Sequence, residues 1–357
     1  MALITLNKSA LENNYRYLQN LFDKHGIEWA PVLKLLCGNE AYLQFVLSLG
    51  DEQVCDARLS NLKIIKHLKP NVETIYIKPP AKRSIKSIVK YADVSFNTEF
   101  TTIKWLSEEA VKQNKVHRII IMIELGDLRE GIMGDHLMTF YRKVFQLPNI
   151  KVAGIGTNLN CLSGVMPSKD KLIQLCLYEQ LIEAKFNQKI DGVSGGSSVM
   201  VPLLLKGIVP KGINHFRVGE TLFFGVDLFS GETILGMKED VFTLHSEIIE
   251  ITEKPEMPYG QLEENPSGEK FEMDTDSFER THKRGILDIG LLDIAKEDYI
   301  IPTDKSISIV GASSDMLVVD LDKADKDYKV GDLVSFKLKY MGALRVMNSK
   351  YIEKRFN

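Results

Sequence analysis

The chain has 357 residues, of which 44% are hydrophobic and 26% charged, so its composition is that of a globular protein with a sizeable core, not of a disordered chain. The formal net charge is −3 and the basic residues are spread along the sequence. This distribution argues against a nucleic-acid or anionic-membrane partner and favours a small-molecule one.

The cysteines and the N-terminus indicate a reducing compartment. The four cysteines are too few and too scattered for a disulfide framework or a CxxC zinc pair: Cys37, Cys55, Cys161 and Cys176. The first residues lead into the polar stretch that begins at Asn7, without the basic and long apolar regions of a signal peptide, and no apolar run approaches about 18 residues. We therefore expect a cytoplasmic protein without a metal site.

The first two thirds of the sequence alternate between strands and helices. A helix is predicted over 8–24, beginning at a cap on Asn7 or Ser9 and ending at Gly26. Strands are predicted at 29–34, 52–56, 73–77, 93–96, 117–125, 151–156, 190–194 and 213–217. Helices are predicted near 40–49, 58–69, 82–91, 99–114, 136–146, 169–187 and 199–206, with N-caps at Asn39, Thr98 and Ser168. Eight strands in this rhythm predict a closed (β/α)8 barrel, an α/β fold that takes roughly 250 residues.

After Gly225 the pattern changes to strands without intervening helices. They are predicted at Val241–Ile251, Arg284–Ile289, Ser306–Leu321 and Leu333–Lys339. The stretch 253–283 is rich in Pro, Glu, Gly and Asp and is predicted to be a long surface loop. The chain therefore divides into a barrel at 1–228 and a C-terminal β domain at 229–357.

The end of the first barrel strand carries a lysine among apolar residues. In such barrels the reacting groups lie at the C-terminal ends of the strands. Lys34 follows Pro31-Val-Leu, and an apolar environment makes a lysine amine a better nucleophile. The alternative is a lysine whose amine reaches the solvent at the barrel rim.

The later strand ends carry polar turns. Arg129, after the fifth strand, can hold a carboxylate or phenolate oxygen, although a rim salt bridge explains it equally well. After the seventh strand, Ser197 and Ser198 lie in a glycine-serine turn at a helix start, and a second glycine turn at Gly219 follows the eighth strand. Backbone N–H groups and hydroxyls in such turns bind phosphate, and this fold often binds phosphate after strands seven and eight.

Several segments in the same order along nearly the whole chain resemble the alanine racemase-like, fold-type III enzymes that use pyridoxal 5′-phosphate (PLP), and most closely their ornithine/alanine racemase branch. The matching segments are VLKLLCGN, IELGDLREGI, GIGTNLNCLSGV, VSGGSS, GINHFRVGE, GILDIG, GASSD and YMGALRVMNSKY. The resemblance implies a PLP-binding barrel with a β domain, and a racemase that moves a proton at the α-carbon of an amino acid. It also implies a homodimer with a shared active site.

The resemblance also assigns roles to individual residues. It places the Schiff-base lysine, which also transfers the α-proton, at Lys34. Arg217 corresponds to the arginine that faces the pyridine nitrogen, and Arg129 to the residue near the cofactor phenolate and the substrate carboxylate. The remaining cofactor-binding positions that it implies are Asn158 near the ring, Ser197, Ser198, Gly219 and Glu220 at the phosphate, and Tyr340 on the phosphate side.

The sequence departs from the family pattern at the second catalytic base. Alanine racemases use a tyrosine in a GYADG-like segment of the partner subunit, whereas Gly290–Asp293 has leucines at 291 and 292, and Met316 stands where the branch usually has a histidine. The candidates for this base are Cys37, Cys161, Asp293, Asp315 and Tyr340. The departures leave two alternatives to a racemase: a non-catalytic PLP-binding protein of vitamin B6 homeostasis, and a fold-type III PLP decarboxylase, which usually needs a cysteine that the segment 311–315 lacks.

Overall fold

A computed structural model describes residues 2–50, 52–264, 268 and 280–357 of the protein. It divides the chain into two compact units. The barrel unit is Lys8–Val241, and the β unit is Met1–Asn7 together with Phe242–Asn357. The first strand, β1 (Leu3–Leu6), belongs to the β unit because it pairs with the strands that begin at Phe242 and Glu353. The sequence predicted instead a barrel that begins at residue 1 and ends at 228.

The barrel unit opens on helix α1 (Lys8–His25). Its described strands are β2 (Glu28–Pro31), β3 (Gln53–Asp56), β4 (Glu73–Tyr76), β5 (Val94–Asn97), β6 (His117–Met122), β7 (Ile150–Gly156), β8 (Gly192–Ser194) and β9 (His215–Val218). Its further helices are α2 (Glu40–Ser48), α3 (Leu59–Leu68), α4 (Ile85–Tyr91), α5 (Phe100–Lys112), α6 (Leu137–Val144), α7 (Lys169–Phe186), α8 (Val201–Leu205) and α9 (Glu220–Phe224).

The strands β2 to β9 pair in parallel and close on themselves. The hydrogen-bonded order runs β2-β9-β8-β7-β6-β5-β4-β3, and a parallel bridge between Val32 and Cys55 joins the two ends. A buried cluster fills the space between strands with apolar side chains: Ala30, Val32, Cys55, Ile75, Val94, Phe96, Ile120 and Met122. The predicted (β/α)8 barrel is confirmed, and its parallel strands deliver all their C-terminal ends to one edge.

Three local predictions in the barrel are wrong. The first strand ends at Pro31 and not at 34, because Leu33–Leu36 form a turn of 3₁₀ helix. The fifth strand ends at Met122 and not at 125, because the chain turns away into a loop that returns to the sheet at Ile132. The cap of α5 is the side chain of Glu99, which accepts from the Thr101 N–H, and not Thr98.

The caps predicted for two other helices are confirmed. The Asn39 side chain accepts from the Tyr42 N–H at the start of α2. The Ser168 hydroxyl accepts from the Lys171 N–H at the start of α7. Each cap satisfies a backbone donor that the first helical turn leaves without a partner, so both helices begin where the sequence indicates.

The β unit is built mainly on antiparallel pairs. Its further described strands are β10 (Phe242–Pro255), β11 (Thr281–Leu287), β12 (Ile300–Pro302), β13 (Ser308–Ala312), β14 (Leu317–Asp320), β15 (Leu333–Leu338) and β16 (Glu353–Phe356). The pairing order is β12-β15-β10-β11-β14-β13, and β1 pairs antiparallel with β10 and parallel with β16.

In the β unit, the structure differs from the sequence-based predictions in three places. Helices α10 (Leu291–Ile294) and α11 (Tyr340–Asn348) lie among strands that were predicted to follow one another directly. The single strand predicted over 306–321 is the hairpin of β13 and β14. The loop predicted over 253–283 is shorter at both ends, because β10 and β11 pair as far as Pro255 and Thr281, and its residues 265–267 and 269–279 lie outside the described residues.

No helix in the described ranges combines the length and apolar character needed to cross a membrane.

His117, which begins β6, is a buried histidine, and burial lowers its pKa to about 4. Burial likewise lowers the pKa of His215 to about 3. The unfolded chain therefore binds protons below about pH 6.5 that the native histidines do not bind until the pH is lower still. Native stability falls with falling pH in this window by about 1.4 kcal/mol per pH unit and per histidine.

Asp56 acts in the opposite direction, because burial raises its pKa to about 6 and the native carboxyl gains its proton before the unfolded one does. The stability gained from Asp56 as the pH falls offsets the loss from one of the two histidines, so native stability still decreases. We expect the free energy of unfolding in urea to be lower at pH 5 than at pH 7, and the substitution His117→Gln to reduce that difference. An equal pH dependence of the unfolding free energy in both proteins would contradict the lowered pKa of His117.

Candidate active site

Lys34 lies in the 3₁₀ turn that follows β2. The turn ends at Cys37, whose backbone is left-handed (φ 49°) and whose N–H donates to the Lys34 carbonyl over 3.3 Å. The Cys37 thiol lies 3.8 Å from the same carbonyl. Lys34 is half-buried, and its positive charge acts on two neighbouring carboxyl groups, those of Asp56 and Glu220.

Those two carboxyl groups come from the ends of different strands. Asp56 ends β3, is buried, and accepts from the Arg58 N–H over 2.7 Å and from the Asn61 side chain over 3.0 Å. Glu220 follows β9 at the start of α9. Burial raises the pKa of Glu220, and the charge of Lys34 opposes that rise. A lysine and two acidic groups therefore share one electrostatic environment at the mouth of the barrel.

The turn after β9 and the turn after β8 meet at the Ser198 hydroxyl. Its Oγ accepts from the Gly219 N–H over 3.1 Å and from the Thr221 N–H over 3.2 Å. A Cβ at Gly219 would come within 3.1 Å of the Val32 Cβ, so the backbone there lies directly against the chain that leads to Lys34. The strands β2 and β9 pair with Pro31 opposite Val218, which explains this closeness.

Arg217 is a buried guanidinium with a hydrogen bond on each arm. It donates from Nη1 to the Ser194 hydroxyl and from Nη2 to the Thr157 carbonyl over 2.8 Å, and its Cζ lies 4.9 Å from the centre of the Phe96 ring. Burial lowers its pKa to about 10, so it keeps its charge at neutral pH. The Ser194 Oγ also lies 2.7 Å from Nδ1 of His215, and Nε2 of that buried histidine has no hydrogen-bond partner in the described residues.

Arg129 forms a two-pronged ion pair with its neighbour Glu130, donating from Nε and Nη2. The hydrogen bonds to Glu130 raise the pKa of Arg129, burial lowers it, and the Cys161 thiol adds a further contact that raises it. The salt bridge that the sequence left open is therefore present. Arg129, Glu130 and Cys161 also act electrostatically on Arg217, so these groups lie at the same end of the barrel.

Asp127 is the buried residue on which the loops after β6 and β7 meet. Its carboxylate accepts from the backbone N–H groups of Cys161, Leu162, Ser163 and Val165, over 3.0 to 3.4 Å. Burial raises the pKa of Asp127, but these hydrogen bonds lower it by more, so its pKa lies below the usual value for an aspartate. Asp127 could not be singled out from the sequence, since a carboxylate in a Gly-Asp turn is common and carries no pattern of its own.

Gly131 closes the loop after β6. The Ile132 N–H donates to the Met122 carbonyl over 2.8 Å, and a Cβ at Gly131 (φ 151°) would lie 2.3 Å from the backbone nitrogen of Glu124. We expect Gly131→Ala to lower the free energy of unfolding by about 2 kcal/mol, because the loop must open to accept the methyl group. Gly311→Ala, whose Cβ meets nothing within 4 Å, is the matched control and should change it by less than about 0.5 kcal/mol. Equal losses measured in urea would contradict this explanation.

The remaining predicted site residues belong to the β unit. Asp293 in α10 accepts from the Ser349 hydroxyl over 2.5 Å, Asp315 is exposed in the β13–β14 turn and accepts from the Ser314 hydroxyl over 2.7 Å, and Tyr340 begins α11. The N–H groups of Leu291 and Leu292 donate to the carbonyls of Ser313 and Ser314 over 2.9 and 3.0 Å. The GLLD and GASSD segments therefore form one surface, on which Leu292 and Met316 are exposed.

The barrel residues fit a phosphorylated cofactor. The N–H groups of Gly219 and Thr221 converge on the Ser198 hydroxyl, in a turn where a Cβ at position 219 would lie 3.1 Å from the Val32 Cβ. Nδ2 of Asn158 is buried and has no hydrogen-bond partner among the described residues, so it is available to a ligand. The fold and the site together define a (β/α)8-barrel enzyme whose strand ends carry an amine, a buried cation and a hydroxyl on which two backbone N–H groups converge.

Comparison with known proteins identifies the family. Residues 6–227, more than half of the chain, match the alanine racemase N-terminal domain. The chain is 38% identical over 352 residues to the ornithine racemase of Acetoanaerobium sticklandii, covering 98% of each, and 28% identical to the lysine racemase of Thermotoga maritima, covering 98% of this chain and 97% of that protein. The protein belongs to the alanine racemase family.

A solved structure agrees with the fold. The alanine racemase of Bartonella henselae with covalently bound pyridoxal phosphate matches with a TM-score of 0.74 at 17% identity, over 100% of this chain and 99% of that one. The resemblance to alanine racemase-like proteins that the sequence indicated is confirmed.

Proposed function

We propose that the protein is a PLP-dependent amino-acid racemase that acts on basic amino acids, with ornithine as the first substrate to test. The observation that supports this chemistry most directly is the pairing of β2 with β9, because Lys34 and the turn Gly219–Thr221 therefore follow adjacent strands. Relatives named as ornithine and lysine racemases, similar over nearly the full chain, support both the reaction and the substrate class.

Different residues of the chain would bind different parts of the cofactor. Ser198, whose hydroxyl is held by the N–H groups of Gly219 and Thr221, would bind the phosphate, with Ser197, Gly219 and Glu220 beside it. Arg217 would face the pyridine nitrogen as a cation, because its pKa of about 10 keeps its proton in place at neutral pH. Asn158 would donate its unpartnered Nδ2 to the cofactor, and Tyr340 would lie on the phosphate side.

The reaction needs proton transfer on both faces of the substrate α-carbon. When bound, PLP withdraws electrons from that carbon and makes its proton acidic. The Lys34 amine would hold the cofactor and then take or return the proton on one face. For the other face we propose Cys37, Asp293 and Asp315 as the candidates, and Arg129 would bind the substrate carboxylate after releasing Glu130.

The test is α-proton exchange. The PLP-loaded protein is incubated in deuterium oxide with single enantiomers of ornithine, lysine and alanine, followed by mass spectrometry and chiral chromatography. We expect deuterium at the α-carbon and formation of the opposite enantiomer, fastest with ornithine or lysine. Bound PLP with no exchange on any amino acid would favour the non-catalytic alternative, and carbon dioxide release would favour the decarboxylase.

We further propose a homodimer in the cytoplasm. Exposed apolar side chains lie in the loops after β6 and β7, at Leu128, Met133, Leu162 and Met166, and the β unit exposes Leu292 and Met316, surfaces that a partner subunit would cover. All four cysteines are free, in keeping with a reducing compartment. Light scattering on the purified protein should give twice the chain mass, and a stable monomer would exclude a catalytic base from the partner.

A further inference from the structure

The loop after β7 is attached at both of its ends to the loop after β6. At its start, the Thr157 hydroxyl donates to the Ile123 carbonyl over 3.1 Å. At its far end, four backbone N–H groups between Cys161 and Val165 donate to the Asp127 carboxylate, and the Ser163 hydroxyl donates to the Asp127 carbonyl over 2.8 Å. Asp127 is 1% exposed, so its carboxylate is largely shielded from competing water.

Asn158 lies between the two attachments. Its Nδ2 is buried and finds no partner among the residues that the structure describes, which carries a cost that the surrounding structure must offset. A buried donor of this kind keeps its place only if the backbone that carries it is held, and here the next residue, Leu159, is fully buried and Asn160 takes a left-handed conformation (φ 63°). The Asp127 carboxylate supplies the attachment that prevents this strained segment from relaxing.

We propose that Asp127 is a positioning residue: its carboxylate clamps the loop 161–165 and thereby holds the Asn158 side chain ready for the cofactor. This inference rests on the proposed function, because it concerns the same PLP site. Four backbone N–H groups that donate to one buried carboxylate fix the geometry of the clamp. A group that is already in place when the ligand arrives raises affinity by reducing the ordering needed on binding.

The main variant is Asp127→Asn, which replaces one accepting oxygen with an NH₂ group that opposes the backbone donors. Asp93→Asn is the matched control. The Asp93 carboxylate also accepts a backbone N–H, that of Thr74 over 2.8 Å, but it precedes β5 and so lies at the opposite end of the strands. Ser163→Ala removes one contact to Asp127 and provides a milder loosening if Asp127→Asn does not fold.

Two measurements on the protein without PLP, followed by titration with PLP, test the proposal. Hydrogen exchange should show protected amides at 161–165 in the wild type and in Asp93→Asn, and faster exchange in Asp127→Asn. The dissociation constant for PLP, read from its visible absorbance, should rise about tenfold in Asp127→Asn, less in Ser163→Ala and not at all in Asp93→Asn.

A double-mutant cycle separates positioning from a general loss of stability. In an Asn158→Ala background, Asp127→Asn should change the PLP dissociation constant by less than about twofold, since the side chain that it positions is gone. The proposal is overturned if the tenfold change persists in that background, or if the amides at 161–165 lose protection while PLP affinity stays at the wild-type value. A wild type that binds no PLP overturns the proposed function itself, whatever the exchange data show.

Discussion

Lys34→Ala is expected to abolish racemisation, with a fall in kcat on the order of 10³-fold or more, because the substitution removes the amine that we propose both holds the cofactor and carries the proton on one face. The charge of Lys34 acts on Asp56 and Glu220, so its loss changes the charge of the whole site. The measurement is the initial rate of enantiomer formation from ornithine, together with the visible absorbance of the PLP-loaded protein.

Lys86→Ala is the matched control for this prediction. Lys86 is an exposed residue of α4, outside the strand ends that build the site, so its removal should leave both rate and absorbance unchanged. Racemisation at the wild-type rate in Lys34→Ala would contradict the role assigned to this lysine.

Arg217→Lys is expected to lower kcat by about 10²-fold although it keeps the positive charge. A lysine ammonium lacks the planar fork with which the guanidinium bonds the Ser194 hydroxyl and the Thr157 carbonyl while its Cζ lies 4.9 Å from the centre of the Phe96 ring. The pyridine nitrogen would therefore lose a fixed partner, a change comparable to removing one preorganised donor. Because the arginine is buried, the free energy of unfolding should also fall by about 2 kcal/mol.

Arg118→Lys provides the comparison for Arg217→Lys. Arg118 forms a half-exposed ion pair with Glu73 over 2.9 Å, near the start of β6, so the conservative change there should affect neither the rate nor stability by a comparable amount. Equal rates for wild type and Arg217→Lys would show that the fork geometry of the arginine is not needed.

The barrel could be predicted from the sequence because its signals are local and repeat eight times. Each parallel strand is buried on both faces and is read as a short β-branched run, and the caps at Asn39 and Ser168 follow from side chains that compete for nearby N–H groups. The turn at Lys34 was missed because Val32-Leu-Lys-Leu-Leu continues the apolar character of the strand, and only the register with β9 ends it at Pro31.

The β unit was harder to predict because its pairs join distant parts of the chain. β1 pairs with β10 and β16, more than 230 residues away, and no local pattern assigns it to either unit. Helix α11 begins at Tyr340 directly after β15, in a segment whose apolar content suits a strand equally well. The contacts of Asp127 could not be predicted for the same reason, because the N–H groups that donate to it lie more than 30 residues further along the chain.

The proposed function depends on one covalent attachment, between the cofactor and the amine that follows the first barrel strand. Purified protein saturated with PLP is treated with borohydride, digested and mapped by mass spectrometry. We predict one modified peptide, carrying a reduced pyridoxyl phosphate group on Lys34. An unmodified Lys34 in fully loaded protein, or the group on another lysine, would contradict it.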